Sequence, residues 1–77
     1  MEDWETRINI DDEIMGGKPV IRGTRVLVHV ILSDLSGGAS VVQVCEDYRI
    51  TEDDVRSALA YAANTVATEI VHTLPRR

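Results

Sequence analysis

Ser40-Val-Val-Gln-Val-Cys-Glu-Asp-Tyr-Arg-Ile-Thr-Glu-Asp-Asp-Val-Arg-Ser-Ala-Leu-Ala-Tyr61 is the stretch whose reading decides the fold. Val41, Val44, Cys45 and Tyr48 recur at helical spacing over two turns, and Ser40 stands where an N-cap hydroxyl belongs. Arg49-Ile50 interrupts the pattern. Thr51 then opens a second helix, with Asp54 three positions on in the place of a capping-box carboxylate. Glu52, Asp53 and Asp54 suit the positive end of that helix's dipole. A short capped helix, a tight turn and a long capped helix form the sequence signature of a helix-turn-helix.

Working outward, Val28, Ile31, Leu32 and Leu35 place another amphipathic helix over Leu27–Ser36, closed by Gly37-Gly38. The final helix runs to about His72, with Pro75 just beyond it. The fold expected is therefore mainly α: a three-helix, homeodomain-like helix-turn-helix unit over 27–72. It follows a short β-arm or hairpin over 7–26 and precedes a tail over 73–77, all in one 77-residue domain. Within the arm, Arg7–Ile10 alternates polar and apolar as a brief strand does, and Asp11-Asp12-Glu13 reads as a turn. Val20-Ile21 is a minimal strand broken by Gly23, and Trp4 anchors the N-terminal end.

The composition is 44% apolar, with no Phe, one Trp and two Tyr, so the core is built from Val, Ile, Leu and Ala and is small. A second subunit or partner is a natural supplement to a core of that size. The single cysteine excludes an intrachain disulfide and a thiolate zinc site. No run approaches the ~20 apolar residues of a membrane helix, and the acidic N-terminal stretch is unlike a signal peptide, so the expectation is a cytoplasmic protein.

The net charge of −5 argues against strong non-specific nucleic-acid binding, but its distribution is uneven. From Ile14 to Ser33 there is no acid, while Lys18, Arg22 and Arg25 are positive. Lys18, Arg22, Thr24 and Arg25 in the arm, Arg49 in the turn and Arg56 on the last helix are the candidates for DNA contact. Against that role, the surface a recognition helix offers to bases begins with three acids.

The last helix carries more apolar surface than one face holds. Val55, Ala58, Leu59, Ala62, Val66 and Ile70 form a stripe expected to face the domain's own core. Ala60, Ala63, Ala67 and Val71 lie on a second side with Tyr61 near its edge, and with Ile70 and Leu74 they are the candidate partner or dimer surface. No enzyme activity, metal site or cofactor is expected. His29 and His72 are isolated, Cys45 sits on an apolar helical stripe, and the acidic triplet is explained by capping.

Ile14-Met-Gly-Gly-Lys-Pro-Val-Ile-Arg-Gly-Thr-Arg-Val26 resembles the hallmark of a bacterial family, domain of unknown function 433. Gly38-Ala-Ser40, Asp47-Tyr48, Thr51–Val55 and Ala58–Ala62 match its second half, so the likeness spans residues 7 to 70. The resemblance implies a helix-turn-helix antitoxin of the VapB-like kind, neutralising a PIN-like ribonuclease toxin encoded beside it and binding its own operator DNA. It marks Gly17, Pro19, Gly23, Thr24 and Arg25 as candidate motif positions. Two functions follow: a homodimeric antitoxin, or a stand-alone DNA-binding transcriptional regulator.

Overall fold

A computed structural model describes residues 4–73, with side chains as far as residue 68. Strands β1 (Ile8–Asn9) and β2 (Val20–Ile21) precede helices α1 (Val28–Ser36), α2 (Val41–Tyr48) and α3 (Glu52–Thr73). This is the mainly helical unit with a preceding hairpin that the sequence predicts. The strands pair antiparallel, Ile8 opposite Ile21 and Asn9 opposite Val20. Trp4–Thr6 forms one 3-10 turn ahead of them.

The helix boundaries follow local chemistry. The Ser40 hydroxyl accepts from the Gln43 amide at 3.0 Å, opening α2. Arg49 closes it in the left-handed region, at φ 58. At the head of α3 the capping box is reciprocal. The Asp54 amide donates to Thr51 Oγ1 at 3.1 Å, and the Thr51 amide donates to Asp54 Oδ2 at 3.0 Å. Leu27 takes the cap position of α1 with no side-chain bond. The α1–α2 corner is fastened by the Tyr48 hydroxyl, which donates to Asp34 Oδ2 at 2.6 Å.

The arm motif is a folding device. Gly23, at φ +82, turns the chain after β2. The Thr24 hydroxyl donates to the Ile21 carbonyl at 2.7 Å and accepts from the Val26 amide at 2.9 Å, locking that turn. The Val28 amide then donates to the Pro19 carbonyl at 3.0 Å, which ties the Lys18-Pro19 segment to the start of α1. Gly17, at φ +85, also lies so close to Asp12 that a Cβ there would stand 3.2 Å from its carboxylate.

The core gathers Ile8, Ile21, Val28, Ile31, Val44, Ile50, Val55 and Ala58, with Trp4, Leu35, Tyr48 and Tyr61 packed against it. Here the expected core stripe of α3 needs correction. Val55 and Ala58 are buried, but Leu59 is 44% and Val66 50% exposed. Ser57 and Tyr61 turn inward in their place. The reason is the arm. Trp4 meets the Tyr61 ring edge-on, with centroids 5.2 Å apart. Arg7 pairs with Asp54 at 3.2 Å and Asp53 at 3.7 Å. These contacts draw the Ser57–Tyr61 side of α3 against the arm, rotating Leu59 and Val66 outward.

Length compounds the rotation. At 1.5 Å per residue, α1 and α2 reach about 14 and 12 Å while α3 reaches about 33 Å. The two shorter helices cannot cover the whole of the longer one.

The rotation also buries a hydroxyl. Ser57 Oγ is enclosed without a hydrogen-bond partner among the described residues. Ser57→Ala is expected to stabilise the fold by about 1 kcal/mol, because it removes an unmet polar group and raises helix propensity. A lower melting midpoint for the variant than for the parent would show that the hydroxyl contributes to the fold.

Candidate partner-binding groove

Where α1, the distal half of α3 and the Lys18-Pro19 segment meet, the surface opens into a groove of about 320 Å³. Val28 and Leu32, one turn apart on α1, face Ala62 and Val66, one turn apart on α3. Tyr61 and Thr65 line it from α3. The charge at its margin is basic, from the exposed Lys18, with His29 exposed beside it. The groove is thus apolar with a cationic rim inside a stretch that holds no acid. That combination suits an apolar segment of another molecule, and it offers no paired acid and base for chemistry.

The opposite end of the molecule, at the head of α3, is acidic. Arg56 Nη2 lies 2.7 Å from Asp53 and Nη1 3.8 Å from Glu52, both on its own helix. The Arg56 hydrogen bond, offset in part by desolvation and helped by the nearby charges of Arg56 and Arg7, holds Asp53 below the usual carboxylate range. Tyr48 is pushed up, first by its bond to Asp34. Cys45 is pushed up by burial and by Glu52, Asp54 and Glu46, leaving an unreactive thiol on the core side of α2. Among the described residues no three His, Cys, Asp or Glu side chains gather to hold a metal ion.

The DNA candidates are scattered by the fold. Arg22 is exposed but lays its guanidinium along the arm, donating to the Thr6 carbonyl at 2.9 Å and to Glu5 O, Ile8 O and Asn9 Oδ1 at 3.3 Å each. It bonds carbonyls and an amide, not the neighbouring carboxylates. Thr24 is held in its turn, and Arg56 is engaged with acids. Lys18, Arg25 and Arg49 are exposed. Of the partner-surface candidates, Ala63 and Ala67 are exposed and Ala60 is half-buried, while Tyr61 packs inward on Trp4. Leu74 lies outside the described residues, as do the side chains of Ile70 and Val71.

The groove residues Val28, His29, Leu32, Ala62, Thr65 and Val66 were not legible as a set. Four of them, Val28, Leu32, Ala62 and Val66, read as ordinary core positions, and only the unexpected exposure of Val66 marks the place.

Residues 8–62, from β1 to the middle of α3, match the family described as Protein of unknown function (DUF433). The chain belongs to that family. This DUF433 chain is also similar to the protein in the X-ray crystal structure of Rv2018 from Mycobacterium tuberculosis, at 34% identity and a TM-score of 0.64 over 71% of its length. It spans 26% of that longer chain. Among curated proteins there is no significant match. Both halves of the DUF433 module, the Gly-Lys-Pro arm and the helix-turn-helix, contribute to the groove, which α3 completes just beyond the matched region. Among the described residues no helix is long and apolar enough to cross a membrane.

Proposed function

We propose that this DUF433 chain is the antitoxin of a type II toxin–antitoxin pair, a homodimeric module of the cytoplasm that holds a PIN-like ribonuclease inactive. The groove between α1 and α3 carries the reading: it offers an apolar seat that nothing in the described fold fills. Two further features support it. The acidic head of α3 and the net charge of −5 complement a nuclease whose RNA-binding surface is basic. In the Rv2018 structure a similar module makes up about a quarter of a longer chain, so a unit of this kind also occurs joined to further polypeptide.

The test is co-expression with the product of the adjacent gene. Growth is expected to recover from the nuclease's toxicity, and the two proteins are expected to purify as one complex. Persistent toxicity together with separate elution would overturn the proposal.

Operator recognition by the isolated chain has weaker support. Of the DNA candidates, Lys18, Arg25 and Arg49 are exposed with no side-chain partner among the described residues, whereas Arg22 and Arg56, also exposed, are already engaged and the first turn of α3 repels phosphates.

A further inference from the structure

The open side of α3 has the spacing of a self-pairing seam. Leu59, Ala63 and Val66 are exposed at intervals of four and three residues, and the sequence continues that heptad register at Ile70 and Thr73. This seam is distinct from the groove, which lies toward α1, although Val66 borders both.

Charge decides the occupant. The chain has 13 acids and 8 Lys and Arg, yet Ser57 to Thr68 contains none of these residues. Two acidic copies repel each other over most of their surfaces but meet along this stretch without opposing charge. Orientation follows from the ends. A parallel pair brings the Glu52-Asp53-Asp54 turns of two copies together. An antiparallel pair that sets Leu59 level with Val66 keeps the two Glu52-Asp53-Asp54 turns at opposite ends of the seam.

We propose that two copies of this chain pair antiparallel along Leu59, Ala63 and Val66 of α3. The pairing gives the homodimer named above its face and direction, and it rests on that reading. A specific interface buries roughly 1,000 Å² or more in total, and about four helical turns stand at the low end of that range. The dimer is therefore expected to be weak, as interfaces at that end of the range are.

Sedimentation equilibrium of the full chain, at concentrations on the order of 100 µM where such a dimer is populated, is expected to return twice the 8.5 kDa of one chain. Val66→Asp is expected to return the single-chain mass with helical content unchanged. Should that variant unfold, cysteine pairing in a Cys45→Ala background tests the same contact. A mixture of Leu59→Cys and Val66→Cys chains is expected to oxidise to the mixed disulfide, identified by mass.

A single-chain mass for the parent overturns the pairing. Preferential self-linking of Leu59→Cys overturns the antiparallel arrangement. A monomer that still rescues growth removes the dimer alone, and a dimer that fails to rescue removes the antitoxin alone.

Discussion

Ile31→Ala is expected to leave the protein largely unfolded at 37 °C. Ile31 is fully buried at the centre of the core, where α1 packs against α3. Removing its outer carbons forfeits both transfer energy and packing, about 2–5 kcal/mol for a buried isoleucine cut to alanine. Relaxation into the space is limited, because Val28, Val44 and Val55 are short and branched at Cβ. Against this stands a total stability of roughly 4–12 kcal/mol for a domain of this length. Each kcal/mol shifts the midpoint by about 4–8 °C, so thermal circular dichroism is expected to show a fall of tens of degrees. Val42→Ala, which trims an exposed side chain on α2, is the control and is expected to shift little. A drop in the Ile31 variant no larger than that of the control would mean the core lies elsewhere.

The same core explains what the sequence could and could not disclose. Helix ends were legible because each is decided within four residues: the Ser40 hydroxyl and the Thr51–Asp54 pair declare themselves wherever the rest of the chain goes. The strand pair was legible in its parts, since Arg7–Ile10 alternates polar and apolar and Val20-Ile21 is a short β-branched run bounded by Pro19 and Gly23.

The rotation of α3 was not. Helical periodicity places Leu59 and Val66 on one stripe with Val55, Ala62 and Ile70, and it treats the arm as a separate appendage. In the fold the arm is a packing layer. The Trp4–Tyr61 contact and the Arg7–Asp54 pair join residues 57 and 47 positions apart, and no local pattern announces such partners. Moving Tyr61 inward and Leu59 outward changes which surface is open.

The arm motif teaches the reverse lesson. Arg22 and Thr24 look like phosphate ligands as residue types, but they lie where a two-residue strand has carbonyls and a sharp turn to satisfy. A strand pair so short is marginal by itself. The guanidinium that gathers the Glu5, Thr6 and Ile8 carbonyls supplies the bonds that additional strands would otherwise provide.

Ala62→Lys is expected to abolish neutralisation of the partner nuclease while leaving the fold intact. Ala62 lines the groove and is only half-buried, and lysine is a good helix former, so α3 tolerates the change. The new side chain occupies the space between Val28 and Leu32, and its ammonium joins Lys18 and His29 at a rim with no lining carboxylate to pair with it. An apolar side chain of the nuclease then meets both a filled seat and a charge to be stripped of water. Losing a central interface anchor costs at least about 2 kcal/mol, roughly a thirtyfold loss of affinity. Calorimetric titration of the nuclease is the measurement, paired with a thermal melt of the variant. Val42→Asp, on the exposed side of α2 away from groove and seam, is expected to bind as the parent does. A folded Ala62→Lys chain that binds with parental affinity would place the nuclease on some other face. The acidic head of α3 would then be the surface to alter next, since it presents the opposite charge to the groove rim.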